Sequence, residues 1–142
     1  MSVELPVAPV DTLIRREAGD LRVSKDAAEE LARRIQRRGA ALAADAAERA
    51  RADGRKTLMV EDFSSRATGE ESVTLPVAPV DRIARLDIPP EFRVAADARV
   101  ALAAILEEWA GEVASGSRVL AEHAGRRTIQ AEDIQTYLRL VE

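Results

Sequence analysis

The 142-residue chain has no cysteine, a single histidine and only 3% aromatic residues. Without thiols, a disulfide framework, thiolate metal sites and cysteine nucleophiles are all excluded, and one imidazole at His123 gives no histidine cluster. Lysine is nearly absent as well: of 21 basic residues only Lys25 and Lys56 are lysine. No stretch approaches the ~18 uninterrupted apolar residues of a membrane span. The opening MSVELPVAPVD carries an acid where a secretory signal would have its basic region. These absences predict a soluble, cytoplasmic protein with no membrane, cofactor or metal partner, and they point away from an enzyme.

What is present is aliphatic. The chain is 46% hydrophobic, with Ala, Val, Ile and Leu supplying nearly all of it, a composition that suits close-packed helices. It is also internally repeated. LPVAPVD occurs at residues 5–11 and again at 75–81, and GRKT at Gly54–Thr57 returns as GRRT at Gly125–Thr128. Each is followed by a Glu-Asp pair, Glu61-Asp62 and Glu132-Asp133. A tandem duplication follows, with a first unit over residues 1–68, a linker over 69–73 within the polar stretch that starts at Ser64, and a second unit over 74–142.

Each repeat reads as short helix, long helix, short helix. Pro9 suits a first helical turn and Gly19 a C-terminal cap. Ser24 offers an N-cap to a segment that runs to Gly54, about 29 residues or ~43 Å of helix; its last element begins near Val60. In the second repeat the elements are expected at Pro79–Leu86, Ala95–Ala124 and Ala131–Val141, with Ala95 replacing the capping serine. Two short helices cannot cover the stripe Leu31, Ile35, Leu42, Ala46 and Ala50 of such a long helix. The equivalent stripe Leu102, Leu106, Val113, Ser117 and Ala121 supplies a partner. Burial therefore calls for one intertwined all-α domain, with Gly39, Ala43, Gly111 and Gly116 permitting close helix approach.

The segments LPVAPVDTLIRREAGDLRVSKDAAEEL with GRKTLMVEDF, and LPVAPVDRIARL with FRVAADARVALAAILEEWA and AGRRTIQAEDI, resemble the archaeal histones over nearly the whole chain outside the linker. The resemblance implies a histone fold in tandem: two short-long-short units closed in an intramolecular handshake, a pseudo-dimer that associates with the chromosome or nucleoid and binds double-stranded DNA. It implies that Arg22 and Arg93 enter the minor groove and that Thr57 and Thr128 bond phosphate, with Lys56 and Arg127 beside them. Arg82 matches a DNA-facing arginine of the first helix, and Arg15 is grouped with it. Arg55 with Asp62, and Arg126 with Asp133, match a loop-bracing ion pair. Leu120, His123 and Asp133 match a four-helix contact between dimers, which predicts self-association through the second repeat; the first repeat has Arg49 and Ala52 in place of the first two.

Departures from the pattern weaken the basic face. Thr12 stands where the first repeat would carry the counterpart of Arg82, and Met59 and Gln130 occupy positions usually basic. Asp20, Asp87 and Glu91 enter the binding loops. Residues 1–71 hold 13 basic and 14 acidic side chains and residues 72–142 hold 8 and 11, which sums to the net charge of −4. Fewer neutralised phosphates mean weaker binding, above all at high salt.

Other motifs have plainer explanations. Arg33, Arg34, Arg37 and Arg38 look like a nucleic-acid patch, yet Glu29 and Glu30 precede the first pair at helical ion-pair spacing, so a solvated helix face is expected. Gly54-Arg55-Lys56-Thr57 lacks the upstream glycine of a nucleotide loop, because Arg51 stands there. Trp109, aligned with Arg38, is expected to cover the core edge or to offer a surface to a protein partner. The sequence thus predicts an architectural DNA-binding protein that bends the duplex with little sequence specificity. The alternative is a histone-fold gene-regulatory or protein-interaction module with weak DNA binding of its own.

Overall fold

The computed structural model describes residues 2–63 and 72–142, so the linker expected at 69–73 lies mostly outside the described residues. The elements are α1 (Val7–Ala18), β1 (Arg22–Val23), α2 (Lys25–Ala52), β2 (Thr57–Leu58), a 3-10 turn (Val60–Phe63), α3 (Val77–Ala84), β3 (Arg93–Val94), α4 (Ala96–His123), β4 (Thr128–Ile129) and α5 (Ala131–Val141). No helix among the described residues is long and apolar enough to cross a membrane.

Helix boundaries follow local chemistry. α1 and α3 begin two residues ahead of Pro9 and Pro79, after Pro6 and Pro76. A proline in the first turn costs nothing there, since its missing N–H would have no intrahelical acceptor. Ser24 caps α2, its hydroxyl accepting from the Ala27 N–H at 3.1 Å. At Ala95 no hydroxyl is available, and the start of α4 rests on the Arg99 N–H to Ala95 carbonyl bond. α3 ends at Ala84, short of the expected Leu86. Its chain closes in a tightened turn, with Leu86 N–H donating to the Ile83 carbonyl, ahead of Pro89 and Pro90, which have no N–H to continue a helix.

The chain divides into two compact units, and neither coincides with a sequence repeat. One comprises Met1–Leu5 and Gln36–Leu106; the other comprises Pro6–Ile35 and Glu107–Glu142. Each draws on both repeats, which is the interchange that the handshake requires. In the first compact unit the buried set includes Leu5, Ala43, Ala46, Ala50, Leu58, Leu75, Ile83, Phe92, Leu102 and Leu106. Gly39 of α2 lies so close to α3 and α4 that a Cβ there would meet Ile83 Cγ2 at 2.8 Å and Leu106 Cδ1 at 3.0 Å. In the second compact unit Val10, Ile14, Leu31, Ile35, Val113, Ala121, Ile129, Ile134 and Leu138 are buried. There Gly116 admits the Tyr137 ring, which an added Cβ would overlap. Gly111 differs from the expectation of close approach: among the described residues nothing stands within 4 Å of its Cβ position, which faces open space. Leu42 is only half-buried, whereas the other stripe residues are buried.

Candidate nucleic-acid interface

Two short parallel bridges organise the loops. β1 pairs with β4, placing Arg22 opposite Thr128 and Val23 opposite Ile129. β2 pairs with β3, placing Thr57 opposite Arg93 and Leu58 opposite Val94. Each bridge lies within one compact unit and joins one strand from each repeat. The burial alternates: Val23, Leu58, Val94 and Ile129 are buried, and that anchoring turns Arg22 and Arg93 outward. Arg22 N–H donates to the Arg127 carbonyl at 2.9 Å, and Arg93 N–H to the Lys56 carbonyl at 2.8 Å.

An arginine fork braces each loop. Arg55 Nη1 donates to the Thr57 carbonyl at 2.9 Å and to Asp62 Oδ2 at 2.8 Å, while Nη2 reaches Asp62 Oδ1 at 2.9 Å. Asp62 also accepts the Met59 N–H at 2.7 Å. The second repeat reproduces the arrangement. Arg126 Nη1 reaches the Thr128 carbonyl at 3.0 Å and Asp133 Oδ2 at 2.9 Å, and Gln130 N–H donates to Asp133 at 2.8 Å. Bidentate geometry around a buried carboxylate fixes the carbonyl of each loop threonine and therefore the bridge. Hydrogen bonding from Arg55 is the largest influence holding the Asp62 carboxyl below its ordinary range, and the same bond raises the Arg55 guanidinium. Asp133 likewise raises Arg126. Gly54 and Gly125, at φ 74° and 71°, supply the left-handed turns that leave α2 and α4 for these loops.

The side chains named from the sequence divide into two groups. Arg22, Lys56, Arg93 and Arg127 are exposed, and among the described residues no ion pair holds any of them. Arg22, Arg127 and Thr128 line a surface pocket of about 380 Å³ together with Asp20. Arginines on α1, on α3 and at the α3 C-cap are instead matched by acids. Arg15 pairs with Asp11 at 2.6 Å, Arg85 with Asp81 at 3.1 Å, and Arg82 with Glu4 at 2.9 Å. Leu120 is half-buried, His123 is exposed, and Asp133 is buried with Arg126 on it.

On α2 the arginine run is a helix face, with one departure from the expected spacing: Arg33 and Arg34 both bond Glu30, each at 2.7 Å. Glu30 is 6% exposed. Burial opposes its ionisation, and the two arginines more than offset this, leaving its carboxyl below the usual range. Trp109 is half-buried and engaged in an interaction of its own. Sequence reasoning missed Glu4 and the bracing role of Arg49. Arg49 Nη1 donates to the Asp62 carbonyl at 2.7 Å, so the residue that replaces Leu120 in the first repeat braces the 3-10 turn. Arg51 lies 5.4 Å over the Phe92 ring, adding a link from α2 to the loop before β3.

Paired short-long-short helical repeats with cross-repeat loop bridges define a histone fold. A family model described as histone-like transcription factor (CBF/NF-Y) and archaeal histone matches residues 3–65 and 73–138. The chain belongs to that family and carries the fold twice, as a tandem doublet; it is a DNA-binding histone-fold protein. The archaeal histone HAN1 of Thermococcus zilligii is 48% identical over 61 residues, which are 43% of this chain and 88% of that one. The crystal structure of the histone from Methanopyrus kandleri superposes with a TM-score of 0.70 at 25% identity, covering 94% of this chain and 92% of that one. A Thermus thermophilus protein also gives a TM-score of 0.70, at 23% identity and 97% coverage of both chains, which speaks for the fold alone.

Proposed function

We propose that this protein is an architectural histone doublet that holds and bends duplex DNA through its phosphate backbone and minor groove, with little sequence specificity. The observation that carries it is the pairing of Arg22 with Thr128 and of Arg93 with Thr57 on braced bridges, beside Arg127 and Lys56, all four cations open to solvent. Guanidinium groups, hydroxyls and loop amides suit phosphate oxygens, and phosphate contacts position a protein without reading bases. Bending follows if both bridges engage one duplex, at a cost that depends on DNA deformability rather than on base contacts.

The test is a fluorescence-anisotropy titration of a mixed-sequence duplex across a potassium salt series, with the parent and Arg22→Ala/Arg93→Ala. Log affinity should fall linearly with log salt, and the double substitution should flatten the slope by about 1.8, roughly 0.9 per lost contact. No binding at low salt by a folded parent overturns the proposal.

Acid-matched arginines favour a second reading. With Arg15, Arg82 and Arg85 neutralised and Asp20 beside Arg22, a partner-dependent regulatory module would need its partner to supply DNA affinity. The doublet is further proposed to self-associate through its second repeat, where Leu120 and His123 stand near the end of α4 and Asp133 on α5. The first repeat, with Arg49 and Ala52, would cap the assembly.

A further inference from the structure

We infer that Glu4 is an affinity-setting latch: its carboxylate occupies Arg82 in the DNA-free protein, competes with phosphate for that guanidinium, and so keeps one contact out of the interface at rest. The inference rests on the proposed DNA-binding function, extended to Arg82 of α3 as one of its DNA contacts.

Glu4 is delivered by a short strap rather than by a helix. Its N–H donates to Gln36 Oε1 at 2.7 Å, Gln36 Nε2 donates back to the Ser2 carbonyl at 3.1 Å, and Leu5 is buried at 3% exposure. Gln36 is itself buried in α2, so the strap backbone is pinned at both sides of Glu4. From that fixed point the carboxylate reaches Arg82 Nε at 2.9 Å. Glu4 and Arg82 keep 26% and 54% of their side-chain area exposed, so the pair is screened and opens by rotation of side chains alone.

Arg16 of α1 is also matched across the repeats, by Glu107 at 3.3 Å, whereas Arg15 and Arg85 behave differently. Arg15 with Asp11 and Arg85 with Asp81 are spaced i,i+4 and are neighbours wherever their helix forms. Neither of these two pairs spans the repeats, as that of Glu4 does. The repeats also match acid to arginine. At the positions equivalent to Glu4 and Arg82 the duplicate carries Thr74 and Thr12, so both members occur once and both are replaced once. A carboxylate without its arginine would only repel DNA, and an arginine without its carboxylate would be an uncontrolled contact. A phosphate that displaces Glu4 gains a guanidinium already aligned and exposed.

The experiment compares the parent, Glu4→Gln, Arg82→Gln and the double variant by duplex anisotropy between about 50 and 200 mM potassium salt, with circular dichroism confirming equal helicity. Glu4→Gln should bind about threefold more tightly at the lower salt. Its slope should be steeper by about 0.9, so the advantage disappears toward the upper end. In the Arg82→Gln background Glu4→Gln should change nothing. Equal affinity of Glu4→Gln and parent, while Arg22→Ala/Arg93→Ala cripples binding, overturns the latch and leaves the DNA reading standing. An equal gain in the presence and absence of Arg82 also overturns it, since net charge would then explain the effect. If neither the parent nor Glu4→Gln binds duplex at low salt, both readings fall.

Discussion

Arg22 and Thr128 sit opposite one another on a two-residue parallel bridge although they belong to different repeats. Arg93 and Thr57 repeat the relationship with the roles of the repeats exchanged. Neither repeat alone can therefore bring Arg22 opposite Thr128 or Arg93 opposite Thr57. The bracing forks at Asp62 and Asp133 hold each pair in place, and the proposed function takes the fused doublet as its working unit.

The missing basic positions can be restored. Thr12→Arg with Met59→Lys should tighten duplex binding and steepen the salt dependence by up to about 1.8. Met59 is 37% exposed beside the braced loop, so a lysine is accommodated there. Unchanged affinity in the anisotropy assay would count against docking through these faces.

The interior glycines of the long helices should respond with opposite signs. Gly39→Ala and Gly116→Ala push a methyl into Ile83 with Leu106 and into the Tyr137 ring, and each should cost about 1–3 kcal/mol. Gly111→Ala meets nothing and should stabilise by about 0.5–1 kcal/mol through helix propensity. Thermal melts of the three variants decide it.

Capping gives a second pair of opposed changes. Ser24→Ala removes the acceptor for Ala27 N–H and should destabilise by about 1 kcal/mol. Ala95→Ser supplies the missing hydroxyl at α4 and should stabilise by a similar amount. Chemical denaturation with unchanged slope would report both.

Acid should release the loops late. The Asp62 carboxyl is depressed in the folded protein by Arg55, so its contribution is complete above the unfolded value of about 3.9 and is lost only as pH falls through the lower folded value. Asp62→Ala should cost about 2 kcal/mol at neutral pH, and its deficit relative to the parent should shrink below about pH 4. A deficit that stays constant on acidification would contradict the charged bridge.

Self-association has a direct readout. Light scattering of concentrated protein, with and without DNA, should show a dimer of doublets that Leu120→Arg/His123→Ala returns to single chains. A monomer under every condition removes the proposed contact.

Much of this architecture was legible in the chain. The duplicated LPVAPVD and the GRKT and GRRT loops announced two units, apolar spacing located the long helices, and Ser24 marked a helix start that the hydroxyl bond at Ala27 accounts for. Arg55 with Asp62 and Arg126 with Asp133 are seven residues apart, close enough in sequence for a local motif to specify them. Such features depend on neighbours along the chain, and local chemistry decides them.

Other features waited on packing. Glu4 and Arg82 are 78 residues apart, and no periodicity links a strap to the third helix. Gly111 looked like a contact and faces open space, whereas Gly116 on the same helix receives Tyr137. Arg33 turned to Glu30 rather than Glu29 because rotamer and burial, not spacing alone, choose among neighbours on a helix face. Propensity and hydrophobic period act locally, so the amino-acid order alone was enough to set the duplicated elements and their buried stripes. That Arg82 is held by Glu4 while Arg22 and Arg93 remain open was settled only by folding, because ion pairing needs charges within a few ångströms and the packing of one repeat into the other sets the distance between Glu4 and Arg82.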